Sequence, residues 1–188
     1  LTANHCLGGE SSWIFMFNYE SPVCNNQNGA TNMTLSGATL LDNASTSDFA
    51  LLRISEDPPE SYEVHYAGWS AVNTPPQQPV AIHHPSGDIK KISFDNDTGI
   101  SDGWSGNDGS HWRIADWEDG TTEPGSSGSP LFDSNHRIIG QLHGGEASCS
   151  YNVNDYYGKV STSWGLGLSS ILDPDNTGQT TLDGIDQI

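Results

Sequence analysis

Positive charge is scarce in this sequence. Only 6 of its 188 residues are Lys or Arg, against 24 Asp and Glu, which gives a formal net charge of −18. Proteins that bind nucleic acid or an anionic membrane surface neutralise its phosphates with clusters of Lys and Arg. The composition therefore predicts neither a nucleic-acid partner nor a membrane partner, whereas a cationic substrate suits a negative surface.

Long apolar runs and helical patterns are scarce as well. No apolar run approaches the roughly 20 residues with which a helix spans a bilayer. Short apolar runs alternate instead with turn-forming clusters, a pattern typical of an all-β sandwich or barrel. The pattern predicts a buried strand at 13–19, a strand at 64–69, a long loop at 95–110 and a short helix at 167–172.

Proline marks a division of the chain, which has the length of one domain or of two small halves that share a cleft. Three prolines fall within residues 75–79, where a central strand would not accommodate them. We take 73–79 as the crossing between a first half, 1–72, and a second half, 80–188. Residues 1–3 look like the end of a strand, as if the chain began in mid-fold.

Cysteine is also rare, and no residues have the spacing of a metal site. The three cysteines match no zinc motif, and an odd number leaves a free thiol or a partner outside the chain. His83 and His84 are adjacent in a predicted strand, so their side chains face opposite sides and do not readily share an ion. The acidic segments 95–99 and 173–178 are interpreted as turns rather than calcium loops. We therefore predict no metal and no cofactor. The cysteines are Cys6, Cys24 and Cys149.

Three short segments together carry a constellation for nucleophilic catalysis. The turn at 125–128 has two glycines, which let successive backbone N–H groups point the same way, as an oxyanion hole requires. The hydroxyl of Ser127 needs a neighbouring base and an orienting carboxylate to act as a nucleophile. His5 and Asp48 supply these groups, since Asp48 directly precedes an apolar strand. Their order along the chain matches the chymotrypsin arrangement and differs from those of subtilisin and the α/β-hydrolases.

The motifs around these residues resemble those of the trypsin-like, chymotrypsin-fold serine endopeptidases, and among them the secreted bacterial lysyl endopeptidases. The resemblance runs over nearly the whole chain. Its motifs are Leu-Thr-Ala-Asn-His-Cys at 1–6, Thr-Ser-Asp-Phe-Ala-Leu-Leu at 46–52, Ala-Gly-Trp at 67–69, Ala-Ile-His-His-Pro at 81–85, Thr-Glu-Pro-Gly-Ser-Ser-Gly-Ser-Pro at 122–130, Gly-Gln-Leu-His-Gly-Gly at 140–145, Tyr-Gly-Lys-Val at 157–160 and Leu-Asp-Pro at 172–174.

The resemblance implies a fold and a mechanism. The fold is all-β, with two antiparallel β-barrels of the chymotrypsin type and the active site between them. The first barrel is expected to be incomplete at its N-terminus, because the family carries further strands before the Leu-Thr-Ala motif. His5 is implied as the general base, Asp48 as its orienter and Ser127 as the nucleophile, with the backbone N–H groups of Gly125 and Ser127 as the oxyanion hole. The implied protein is a secreted monomer that hydrolyses protein or peptide substrates.

Substrate choice depends on the residues of the first specificity pocket. Thr121 stands six residues before the serine, so a trypsin-style Asp is absent there. The resemblance implies Asp155 as the anion that pairs with a lysine ammonium, His143 as the family's pocket-side histidine and Trp104 as its stacking tryptophan. His143 alone also fits the glutamyl endopeptidases, but Asp155 would repel a glutamate side chain.

We therefore predict cleavage after lysine. Two alternatives stay open: a glutamyl-type specificity, and a catalytically silent homologue that serves as a binding or adhesion module. The resemblance also implies that each of the three cysteines pairs with a cysteine in the upstream segment, as secreted proteins use such bridges, and that no two of them pair with each other.

Overall fold

The computed structural model describes residues 1–187, and strands dominate them. The first half contains β1 (Thr2–Ala3), β2 (Ile14–Met16), β3 (Thr34–Ser36), β4 (Ala38–Ala44), β5 (Phe49–Ile54), β6 (His65–Tyr66) and β7 (Gly68–Ser70). The second half contains β8 (Val80–His83), β9 (Lys91–Phe94), β10 (Ile100–Asp102), β11 (His111–Asp116), β12 (Pro130–Phe132), β13 (Arg137–Gly145) and β14 (Val153–Lys159). A helical segment follows, made of α1 (Val160–Ser163), a π-helical turn (Trp164–Leu168) and α2 (Ser169–Leu172), and then β15 (Thr181–Leu182) and β16 (Ile185–Asp186).

The strands form a small sheet within residues 2–54 and a large one that takes in β7 together with strands from 80 onward. In the small sheet β5 lies between β1 and β4. The large sheet has nine strands and runs in the order β10, β11, β14, β13, β12, β8, β9. β7 joins it through a parallel pairing with β13, and β15 pairs with β7. Two further pairs, β2 with β3 and β6 with β16, stand apart from both sheets.

Two apolar clusters anchor these sheets. The larger one lies within the nine-stranded sheet and includes Trp112, Trp117, Leu131 and Tyr157, each of them fully buried. The smaller one packs Phe49 of β5 against Val160 and Leu168 of the helical segment. Burying side chains of this size stabilises the fold by roughly 1.5–3 kcal/mol each. The helical segment therefore holds β5 against the second half. It also holds Asp48, which directly precedes β5.

Several strands, loops and helices of the structure differ in extent from those predicted from the sequence. The prediction of a buried strand at 13–19 is wrong, because β2 covers only Ile14–Met16 and pairs with β3 alone, which leaves Ile14 69% exposed. The strand predicted at 64–69 divides into β6 and β7, which pair with different partners. The loop predicted at 95–110 contains β10, whose three polar or exposed residues give little strand signal. The helix predicted at 167–172 begins earlier, at Val160, which packs on Phe49 of β5.

None of the described helices has the length and apolar character that a membrane crossing requires. Within residues 1–187 the three cysteines form no disulfide with one another. Their pairing with cysteines outside the chain stays a prediction.

Candidate active site

Strand pairing brings His5 and Asp48 together. β1 pairs with β5 in the register Ala3 to Phe49, so the residues just beyond this pair meet at the same edge. Asp48 Oδ2 lies 2.6 Å from His5 Nδ1, and Asp48 Oδ1 accepts a hydrogen bond from the His5 backbone N–H at 2.9 Å. An ionised carboxylate only accepts hydrogen bonds, so the ring proton sits on Nδ1. Nε2 of His5 is left with a lone pair and can act as a base.

The turn that carries Asp48 is held from the second half. Asp48 has a left-handed backbone with φ of 54°, a conformation that Asp tolerates better than most residues. Gln141 Nε2 of β13 donates to the Ser47 carbonyl at 2.7 Å, and Ser163 of α1 lies 2.8 Å from the Ser47 hydroxyl. Ser47, Asp48, Gln141 and Ser163 are all buried. The carboxylate is therefore fixed relative to the strand that carries His143.

The turn that carries Ser127 lies against β1. Gly125 and Gly128 have φ of 97° and 79°, which only glycine adopts without strain. A Cβ on Gly128 would collide with Thr2, so the absence of a side chain lets the turn approach β1 closely. The N–H groups of Ser126 and Gly128 bond to carbonyls of Glu123 and Leu142. Among the described residues no acceptor lies within reach of the N–H groups of Gly125 and Ser127, and no hydrogen bond joins Ser127 to the His5 ring.

The rings of Trp104, His143 and His5 form a stack. His143 lies between Trp104, at 3.9 Å between ring centroids, and His5, at 5.7 Å, and the rings are within 23° of parallel. β13 shifts register against β14 at His143, and a bulge of this kind re-aims the side chain next to a functional site. His143 Nε2 is 3.7 Å from Asp48 Oδ2. Burial lowers the pKa of His143, and the Asp48 carboxylate partly opposes that shift.

A cavity of about 190 Å³ lies beside Ser127 and ends on a buried carboxylate. Asp155 is 1% exposed, and its Oδ2 accepts hydrogen bonds from Thr122 Oγ1 at 2.6 Å and Trp117 Nε1 at 2.8 Å. Burial raises the pKa of Asp155, and these two donors partly counteract it. A Cβ on Gly145 would collide with Asp155 Oδ1, so the missing side chain leaves space beside that oxygen. The lining residues are Thr122, Glu123, Pro124, Ser127, Leu142, Gly144, Gly145, Ala147 and Asp155.

Sequence analysis gave no role in the site to two histidines that are buried near it. His83 Nε2 lies 2.9 Å from Ser93 Oγ, and His83 Nδ1 lies 3.0 Å from Ser126 Oγ in the serine turn. Because Ser93 Oγ donates to the Thr121 carbonyl, it accepts from His83 Nε2–H, and Ser126 then donates to Nδ1. Burial lowers the pKa of His83 to about 4, so the ring stays neutral and fits this pattern. The alternation of β8, which turns Ala81 and His83 inward, is the signal that could have found it.

The second missed residue is His111, which is fully buried on β11. Its Nε2 lies 3.0 Å from His143 Nδ1, and its Nδ1 lies 2.7 Å from Ser110 Oγ. Burial lowers the pKa of His111 to about 4. A single histidine in a polar stretch gave no sequence signal, and only the pairing of β11 with β14 and of β14 with β13 brings it to the site.

Two comparisons relate the sequence of this chain to known proteins. Residues 1–158 match the family model described as lysyl endopeptidase, C-terminal domain. The chain is 29% identical over 183 residues to the lysyl endopeptidase of Pseudomonas aeruginosa, with 85% of this chain and 37% of that protein covered. The chain thus spans a little over a third of the length of this relative.

Two solved structures are similar in fold. The thermostable serine protease AL20 from an extremophilic microorganism aligns with a TM-score of 0.56 and 17% identity, over 84% of this chain and 76% of that chain. The inactive form of the Rv3671c protease of M. tuberculosis aligns with a TM-score of 0.55 and 17% identity, over 89% and 76%. At this identity the likeness concerns the fold alone, and it confirms the predicted all-β fold of the chymotrypsin type.

Proposed function

The chain belongs to the family of the lysyl endopeptidase C-terminal domain, and on that premise we propose that it is a serine endopeptidase that cleaves peptide bonds after lysine. The observation that carries this proposal is a single cavity whose lining includes both Ser127 and the buried carboxylate of Asp155. A substrate whose reacting carbonyl lay at Ser127 would place its side chain beside that carboxylate.

The proposed reaction proceeds through an acyl-enzyme. Ser127 Oγ attacks the peptide carbonyl while His5 Nε2 takes the hydroxyl proton, since His5 Nδ1 is bonded to Asp48 at 2.6 Å. The N–H groups of Gly125 and Ser127 hold the oxyanion that forms. His5 then returns the proton to the leaving amine, and water releases the acyl group by the same steps. Asp48 keeps the imidazole in the tautomer that this sequence of steps needs.

Lysine specificity is proposed from the chemistry of the cavity. A lysine ammonium is a compact charge with three donors and does not need a bidentate acceptor. Asp155 Oδ2 already accepts two hydrogen bonds, so Oδ1, which faces Gly145, is the atom assigned to the ammonium. His143 and Trp104 are proposed to line the approach to the cavity as stacked rings.

Two alternatives differ in what they predict. Glutamyl specificity would place a second carboxylate against Asp155, which is costly in a buried site. A silent binding module would not need the pairing of His5 with Asp48 or the turn of Ser127. We also propose that the protein acts outside the cell on protein or peptide substrates as a monomer, in line with its resemblance to secreted endopeptidases.

Digestion of a peptide library by the purified protein tests the proposal. We expect new C-termini that end in lysine, and we expect none with Ser127→Ala, which lowers the turnover of such enzymes by on the order of 10⁶. New C-termini that end in glutamate would support the glutamyl alternative. A folded wild-type protein that cleaves nothing would support the silent homologue.

A further inference from the structure

The hydrogen-bond chain behind His143 fixes which of its ring nitrogens carries a proton. Ser110 Oγ donates to Asp108 Oδ1 at 2.6 Å, because a carboxylate only accepts. The same oxygen therefore accepts from His111 Nδ1–H at 2.7 Å. The neutral His111 ring then offers a lone pair at Nε2, which accepts from His143 Nδ1–H at 3.0 Å. The consequence is a lone pair on Nε2 of a neutral His143.

That lone pair faces another acceptor. His143 Nε2 is 3.7 Å from Asp48 Oδ2, and the same carboxylate oxygen is 2.6 Å from His5 Nδ1. The three atoms all lie within 4.8 Å of one another. Two facing acceptors repel each other, and a cation between them removes the repulsion.

The donor set selects the kind of cation. Two imidazole nitrogens and one carboxylate oxygen are the ligands that Zn²⁺ takes when it keeps a fourth position for water. Ca²⁺ and Mg²⁺ prefer oxygen ligands alone. Metal-binding histidines also donate their other ring N–H to a fixed partner, as His143 does to His111.

We propose that His5, Asp48 and His143 form a binding site for Zn²⁺ that switches the proposed peptidase off. Around a tetrahedral ion with bonds of about 2.0–2.2 Å, neighbouring ligand atoms are roughly 3.3 Å apart. The contact between His5 Nδ1 and Asp48 Oδ2 would therefore lengthen, while the gap between Asp48 and His143 changes little. The side chain of His5 is 42% exposed, so its ring has room to shift.

The loss of activity follows from proton positions. When His5 Nδ1 gives its lone pair to the metal, the single proton of the neutral ring moves to Nε2. No bond is oxidised or reduced, and the only change is tautomeric. His5 then has no lone pair for the Ser127 proton, so attack on the peptide carbonyl stops. This inhibitory part of the proposal rests on the proposed function, whereas the binding part does not.

Binding is tested on Ser127→Ala, which removes turnover and leaves the three ligands in place. We expect one Co²⁺ per chain with the visible absorption of a four-coordinate ion, displaced by Zn²⁺, and lost in Ser127→Ala combined with His143→Gln. The matched control is His65→Gln, because His65 Nδ1 pairs with Asp186 at 2.7 Å on the exposed surface without a second imidazole. Loss of the Co²⁺ band in the control, with the band kept in His143→Gln, would overturn the proposal.

A second measurement covers the case in which His143→Gln does not fold. In ¹⁵N NMR spectra of the histidine rings of Ser127→Ala, Zn²⁺ should shift His5 Nδ1 and His143 Nε2 and leave His136 unchanged. Shifts confined to other rings would contradict the site.

Inhibition is measured on the wild-type protein. We expect Zn²⁺ to suppress peptide cleavage, EDTA to restore it, and the residual activity of His143→Gln to need at least tenfold more Zn²⁺. Binding without inhibition would overturn the inhibitory part. Binding in a protein that cleaves no peptide would uphold the site and count against the proposed function instead.

Discussion

Replacement of Asp155 by asparagine separates charge from shape in the specificity cavity. Asn keeps the volume of the side chain and an oxygen that accepts from Thr122 and Trp117, which lie 2.6 and 2.8 Å from Asp155 Oδ2. It removes the negative charge and places an NH2 donor where Oδ1, the atom assigned to the ammonium, stood. Because Asp155 is 1% exposed, water does not replace that charge once a lysine side chain has entered.

The size of the effect follows from the cost of leaving a buried ion without its partner. Removing one member of a buried ion pair costs about 3–5 kcal/mol. At about 1.36 kcal/mol per factor of ten, kcat/KM for lysine substrates should fall by roughly 10²–10⁴-fold. Substrates with a neutral side chain of similar length, such as norleucine, should lose far less, since no charge is desolvated.

The assay compares lysine and norleucine peptides that are otherwise identical. Glu123→Gln is the matched control, because Glu123 lines the same cavity but is not buried, and its carboxylate bonds to Ser86 Oγ and the Cys149 N–H instead. We expect Glu123→Gln to keep most of the lysine preference. Equal losses in both variants would show that the overall negative charge of the cavity, and not Asp155, selects lysine.

Three further predictions concern the surroundings of the site. Ser126→Ala leaves His83 Nδ1 without its donor, so kcat should fall at least tenfold with KM little changed, and an unchanged kcat would show that the serine turn does not depend on this bond. Burial raises the pKa of Asp95 to about 6, so the stability that its protonated form contributes is fully present below about pH 4 and is lost as the pH rises through 6. Asp95→Asn should therefore stabilise the fold by up to about 3 kcal/mol above pH 6 and by about half of that at pH 5. Urea unfolding curves at pH 5 and pH 8 measure this difference, and an equal effect at both pH values would refute the shift. Thiol titration of the denatured, unreduced 188-residue chain should find three thiols, and a count of one would reveal a bridge between two of Cys6, Cys24 and Cys149.

The candidate residues His5, Asp48 and Ser127 could be singled out from the sequence because their motifs are local and chemically distinctive, and their catalytic roles stay a proposal. The turn of Ser127 and the position of Asp48 before an apolar strand are both visible in the sequence. What brings His5 to Asp48 is the register of β1 on β5, which no short segment encodes. The cavity likewise depends on β14 lying between β11 and β13, a pairing of residues distant in sequence.

Apolar content predicted strands and their burial wrongly in places where an apolar residue is exposed or where a strand contains polar residues. Ile14 belongs to an apolar run, yet it is exposed on a two-stranded pair that joins neither of the larger sheets. β10 is a strand although it is polar, because it pairs with β11 over three residues. His83 and His111 resemble surface histidines in the sequence, and the contacts that bring them to the site come from distant residues, Ser126 for His83 and His143 for His111.

Covalent labelling with a fluorophosphonate tests the central claim most directly, since the reagent modifies a serine only where a base and an oxyanion hole activate it. We predict one adduct per chain, located by mass spectrometry on Ser127, absent from Ser127→Ala and much slower to form in Asp48→Asn. An adduct on Ser126 or Ser129, or undiminished labelling of Ser127→Ala, would contradict the assignment of the nucleophile.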